Sequence, residues 1–104
     1  MPLTKAAKYD KNKFRFDLIP ARSIEGLADI YTYGANKYAD RNWEKGLKWS
    51  RVFAAIMRHL WAMWKGEWLD PESKKPHVIH AMWGCAALYE YSFTHPELDD
   101  RPKQ

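Results

Sequence analysis

The sequence predicts an all-α fold, a small bundle of three main helices with an extended basic N-terminal arm, and three observations predict it. Apolar residues recur at intervals of three and four in three separate stretches, the spacing that lines one face of a helix. Polar segments carrying Gly46, Gly66, Pro71 and Pro76 part those stretches. Strand-like alternation is brief and ends at once in Pro20.

The elements follow in order. Residues 1–13 set Lys5, Lys8, Lys11 and Lys13 around Tyr9 without a sustained period, which reads as an extended, mobile arm. Phe14 to Ile19 alternates aromatic and polar residues and reads as a short extended segment. Ser23 can cap a first helix, and Ile24, Leu27, Ala28, Tyr31, Gly34, Ala35 and Tyr38 carry it from about Ile24 to Tyr38. Gly34 inside it suggests close packing. Ala39 to Lys48 is a polar loop around Trp43.

Trp49 or Ser50 opens the second helix. Its stripe of Val52, Phe53, Ile56, Leu60, Met63 and Trp64 runs to Lys65, where Gly66 and then Asp70-Pro71 stop it. Pro76 suits the first turn of a third helix, which Val78, Ile79, Met82, Trp83, Ala86, Leu88 and Tyr89 carry to about Ser92. The polar tail from Thr94 to Gln104 holds two prolines and is expected to fray. The 104 residues thus make a single domain, 1–104, with 1–7 and 94–104 flexible.

A composition of 46% hydrophobic and 29% charged residues is that of a globular chain. Six Trp, six Tyr and four Phe are too many to hide, since a domain of this size buries only about two thirds of its chain surface. Trp61, Trp64 and Trp68 spread around the second helix, so a homo-oligomer, most simply a dimer, is expected to complete the bundle. A net charge of +4 fits an anionic partner. Cys85 is alone in an apolar run, which excludes a disulfide framework. No apolar run nears the ~18 residues of a spanning helix and no signal-peptide block is seen. A cytoplasmic protein without a membrane partner is expected.

Two constellations could carry chemistry. Arg58, His59, Glu67, Asp70, His77 and His80 bracket the loop between the second and third helices. Carboxylates suit Mg or Mn and imidazoles suit softer divalent ions, so a mixed set would take Mn, Co or Zn, and Mg through the carboxylates. The bland alternative is a pair of solvated loop carboxylates beside half-buried histidines. The other set is Tyr33, Lys37, Tyr38, Arg41, Asn42, Trp43, Trp49 and Arg51, in which aromatic faces would stack on bases and cations would meet phosphates. Its alternative is a charged loop with two tryptophans tucked onto the bundle. No glycine-rich phosphate loop is present.

An ordered string of motifs joins both sets: Lys8-Tyr9-Asp10 with Lys13, Asp17-Leu18-Ile19-Pro20, Tyr33-Gly34-Ala35-Asn36-Lys37-Tyr38, Asn42-Trp43, Arg58-His59-Leu60, Gly66-Glu67, Asp70-Pro71-Glu72-Ser73, Pro76-His77 and His80-Ala81. Over about residues 8–92 it resembles the phage-associated dATP/dGTP diphosphohydrolase N-terminal domain family. The resemblance implies divalent-metal hydrolysis of a purine deoxynucleoside triphosphate to monophosphate and pyrophosphate, in a cell carrying a phage or prophage. The all-α nucleotide pyrophosphohydrolases, whose reaction class is similar, usually pair Glu-x-x-Glu with Glu-x-x-Asp. Here only Glu67-Trp68-Leu69-Asp70 matches, and Glu25 and Asp29 stand four apart in the first helix.

On that resemblance, His59, Glu67, Asp70 and His80 are expected to hold the metal, and Glu67 and His77 to serve catalysis, with His77 or a non-ligating carboxylate as base. Lys13, Lys37, Arg41 and Arg58 would hold phosphates. Tyr33, Trp43 or Trp49 would stack on the base, with Asn42 beside them. Two other classes stay open: a catalytically silent nucleotide binder that sequesters its ligand, and a nucleic-acid-binding module, which leaves the histidines and carboxylates idle.

Overall fold

The computed structural model describes residues 6–103, and it is all-α: helices α1 (Ala21–Lys37), α2 (Trp49–Trp64) and α3 (His77–Thr94), with no named strand among the described residues. Single 3-10 turns form at Phe16–Leu18, Asn42–Lys45 and Pro96–Leu98. None of the described helices is long and apolar enough to cross a membrane.

Helix α1 begins three residues before the expected Ile24 because Pro20 sets its boundary. Pro20 has extended backbone (ψ 132°), and its carbonyl accepts from the Ser23 and Ile24 amides. A residue that lacks an N–H loses nothing where the first helical amides have no partner anyway. Ser23 makes no cap. The preceding segment is not extended throughout, since Phe16–Leu18 winds into a 3-10 turn beside a two-bonded Arg15–Asp17 ion pair, both contacts 2.8 Å. Residues 6–20 are exposed along their whole length. Of the expected basic arm, Lys5 lies outside the described residues.

Helix α3 is the central element, packing against both α2 and α1. Val52 and Ile56 of α2 meet Ala81, Ala87 and Tyr91 of α3 in the buried core, with Trp43, Trp49, Leu60, Trp83 and Leu88 closing round them. The approach is close because Gly84 has no side chain: a Cβ there would lie 2.4 Å from Ile56 Cγ1. Gly34, expected to mark close packing, meets nothing within 4 Å. That residue opens space beside α1 instead of filling it.

The C-terminal segment, expected to fray, makes specific contacts with α2 as far as Arg101. Trp49 donates its indole N–H to the His95 carbonyl (3.2 Å), and Asp100 accepts from the Ser50 amide (2.8 Å) and its hydroxyl. The Arg101 guanidinium sits 5.1 Å from the Trp49 ring centre. Asp100 thus satisfies an orphan amide at the start of α2, in place of the local cap that Lys48 does not supply.

Gly84→Ala is expected to destabilise the chain by about 1–3 kcal/mol, because the added methyl must push Ile56 aside. Gly34→Ala in the same helical setting should be neutral or stabilising by up to about 1 kcal/mol. Denaturant unfolding of the two variants beside the parent checks both.

Candidate functional site

An open cleft of about 1380 Å³ runs between α1 and α2 over the central helix. One wall is the second half of α1 and the loop through Leu47; the other is Arg51 and His59 of α2, Asp70 and Glu72 of the following turn, and His80 and Trp83 of α3. Gly34 lines the first wall.

At the end of α2 the chain builds a knot of histidines and carboxylates. Gly66 (φ 111°) and Lys74 (φ 64°) turn the chain back, and the turn is closed by Asp70 N–H to the Lys75 carbonyl (2.8 Å) and His77 N–H to the Trp68 carbonyl (2.9 Å). The return brings His77, buried at 4% exposure, beside His59, with their Nδ1 atoms 2.8 Å apart. Glu67 Oε1 lies 2.7 Å from His77 Nε2. Glu67 thus holds one edge of the His77 ring while Nδ1 of the other edge faces His59.

Ligand atoms of His59, Asp70 and His77 all lie within 4.8 Å of one another. Asp70 is held by the Ser73 amide (2.8 Å), and Ser73 Oγ in turn contacts His80 Nε2 (2.7 Å). The His80 ring stacks on His59, centres 4.6 Å apart and planes within 5°. Burial, with the neighbouring His80 and His77 adding to it, holds the His59 imidazole below its ordinary pKa. Burial likewise lowers His80, against the attraction of Asp70. Burial pushes the Asp70 carboxyl up, but the Ser73 hydrogen bonds and the nearby imidazoles together keep it below the usual range. Two imidazoles, His59 and His77, beside the Asp70 carboxylate form a donor set that divalent cations accept.

The structure sorts the expected residues differently from their sequence order. His59 and Asp70 join the cluster as expected, but its third member is His77, expected as a base. His77 is too buried to meet an open cleft and its nitrogens face His59 and Glu67. Glu67, expected as ligand and catalytic group, is bound to His77 and is not on the cleft wall. His80 lines the cleft with Nε2 turned to Ser73.

Tyr33, Lys37, Arg41, Asn42 and Trp43 all line the cleft. The Lys37 ammonium pairs with Glu72, which also accepts from the Tyr33 hydroxyl (3.3 Å). The Lys37 bond holds the Glu72 carboxyl below its ordinary range. Trp43 is half-buried against Tyr31 and Tyr91, ring centres 5.8 and 6.0 Å away, and its carbonyl accepts from the Tyr91 hydroxyl. It serves packing more than stacking. Three expected residues do not reach the cleft: Trp49 is engaged by His95 and Arg101, Arg58 is exposed off its wall, and Lys13 stands on the arm.

Sequence reasoning gave no role to Glu72 and Ser73, nor to the Lys75–Asp29 pair, whose two contacts of 2.9 Å tie the turn to α1. The spacing Asp70-x-x-Ser73 is a side-chain-to-backbone turn signal that could have found Ser73. His95 was missed as well. Its Nε2 lies 2.7 Å from the Glu44 carbonyl and its Nδ1 2.9 Å from Glu97, so the tail straps down the loop that walls the cleft. Gly46 (φ 97°) admits this contact, since a Cβ there would meet Leu98 at 2.7 Å and His95 at 3.1 Å.

Comparison with known proteins adds two findings. The family described as dATP/dGTP diphosphohydrolase, N-terminal, matches residues 4–101. A protein of Salmonella phage PMBT28 named dATP/dGTP diphosphohydrolase is 33% identical over 94 residues, which is 90% of this chain and 32% of the relative. The chain therefore spans about a third of that relative's length. No solved structure matches significantly.

The strap generates a pH prediction. Glu97 and the Glu44 carbonyl raise the His95 pKa, so its contribution to stability is whole below the ordinary histidine value and is lost as pH rises through the raised one. Thermal unfolding between about pH 5.5 and 8.5 should show this loss in the parent and a flatter profile in His95→Gln. Parallel profiles would remove His95 from the strap.

Proposed function

This chain belongs to the dATP/dGTP diphosphohydrolase N-terminal family, and from that premise we propose that its cleft binds a purine deoxynucleoside triphosphate and hydrolyses it to monophosphate and pyrophosphate. The observation that carries the reading is the meeting, in one cleft, of a basic and aromatic wall (Tyr33, Lys37, Tyr38, Arg41) with His59 and Asp70, the two members of the His59–Asp70–His77 cluster that reach the cleft. The cleft exceeds the ~300–1,000 Å³ of most small-molecule pockets, which suits a triphosphate and its water.

A divalent cation fits the donor set. His59, Asp70 and His77 would hold it, with Glu67 fixing the His77 ring from behind, the arrangement that carboxylates give to metal-bound histidines. Given two nitrogens and one carboxylate, Mn, Co or Zn suits the seat better than Mg, which prefers oxygen ligands. When bound, the ion would draw charge from the phosphate oxygens. The remaining work falls to side chains. Water attacks the α phosphorus, the bond from it to the bridging oxygen breaks, and pyrophosphate leaves. We assign the proton acceptor to His80, a neutral imidazole at the cleft surface. Lys37, Arg41 and Arg51 would neutralise the phosphates, Lys37 after Glu72 releases it, and Tyr33 or Tyr38 would stack on the base. Such a substrate agrees with work inside the host cell of a phage or prophage.

A second reading, nucleotide binding without turnover, is favoured by one observation: the named relative is about three times as long as the matched region, so its hydrolytic activity can reside elsewhere in it.

Incubation with dATP and dGTP in the presence of Mn, followed by separation of products, distinguishes the readings. Pyrophosphate and monophosphate are expected; binding without products selects the second reading, and absence of both binding and products contradicts each. His80→Asn should lower turnover at least ~100-fold with affinity little changed. Lys37→Ala should weaken nucleotide binding about 10- to 100-fold, the loss of one charge-assisted contact.

A further inference from the structure

We infer that the outer face of the α2–α3 pair, on the side away from the cleft, seats a second copy of this chain, so that two copies close a four-helix bundle around a two-fold axis. Helical register defines the face. On α2, Arg51 lines the cleft, Val52 is in the core against α3, and Phe53 comes one further step of 100° round. On α3, Trp83 meets Tyr31 of α1, Gly84 meets Ile56 of α2, and Cys85 comes one step beyond. Both helices therefore turn their third positions to the same outer side. Spacings of three and four continue the stripes through Phe53, Met57, Trp61 and Trp64 and through Cys85, Tyr89 and Phe93.

These are large apolar side chains left bare. Phe53 is 58% exposed, Trp61 60%, Trp64 78%, Tyr89 67% and Phe93 68%. At roughly 150–250 Å² for each aromatic side chain, the face leaves on the order of 500–800 Å² of aromatic surface open. That is at or above the upper end of the ~300–600 Å² of the largest patch on a typical monomer and approaches the ~800 Å² per partner of a stable protein interface.

Charge selects the occupant. The charged residues of α2 are Arg51, on the cleft, and Arg58, seven residues on at nearly the same helical angle but beyond the cleft wall; that of α3 is Glu90, close enough to raise the Tyr31 phenol of α1. Among the described residues, the α2 and α3 stripes of the outer face carry no acid, Lys or Arg. A membrane-binding face would be rimmed by basic residues, and a specific foreign partner would be read through complementary charge. A helix apolar nearly all round, as α3 is, is a buried helix. An identical uncharged face is the complement that an isologous pair supplies, and two antiparallel helix pairs pack as a bundle.

Light scattering across a dilution series tests the inference. A mass of twice 12.3 kDa is expected, falling to one chain in Trp61→Glu/Tyr89→Glu, with circular dichroism confirming that the variant keeps its helices. Cys85 labelling by a thiol reagent gives an independent reading in the unmodified protein, which holds even where the variant fails to fold. Its rate should drop at least about tenfold between dilute and concentrated protein. A mass of one chain at every concentration, a dimer whose Cys85 labels equally fast throughout, or monomers taken up by phosphatidylcholine–phosphatidylserine vesicles would each overturn it.

Discussion

The near contact of α2 and α3 is the constraint on which the rest of the structure depends. A missing side chain at Gly84 lets Ile56 come within what would be 2.4 Å of a Cβ. His59 lies one turn beyond Ile56, and His77 two turns before Gly84 on the antiparallel helix. The same close approach that packs the core therefore sets two imidazoles 2.8 Å apart at its end. Core packing is rigid at this density, so a site built on it is held to within a fraction of an ångström.

Around that contact the remaining parts act as braces. The turn after α2 delivers Asp70 to the cleft side of the histidines and Glu67 to His77 Nε2. Lys75 ties the turn to Asp29 of α1, and Glu72 ties it to Tyr33 and Lys37. The tail from His95 to Arg101 fastens the loop on the opposite wall and the first turn of α2. Each brace is a polar contact at the surface and individually worth little.

Much of this was legible in the sequence. Apolar spacing located three helices, and the residue types around Gly66–Pro76 marked the region where histidines and carboxylates gather. Boundaries moved where a local rule outranked the one applied: Pro20, and not Ser23, starts α1. The grouping of the site was not legible. Which histidine faces which depends on how Gly66 and Lys74 turn the chain, and that pairing made His77 a member of the cluster and Glu67 its support. Periodicity also cannot tell a glycine that admits a neighbour from one that leaves a gap, so Gly34 was misread while Gly84 drew no comment. The tail was read as free because polar composition hides long-range capping by Asp100 and the grip of His95.

The central claim is that His59, Asp70 and His77 form one seat for a divalent cation. Thermal unfolding with and without Mn, in the parent and in Asp70→Asn, tests it without any substrate. At about a hundred times the dissociation constant the ion should add about 2.7 kcal/mol and raise the parent's midpoint by on the order of 10 °C, with little rise in Asp70→Asn. An unchanged midpoint in the parent, or an equal rise in both proteins, would contradict the account.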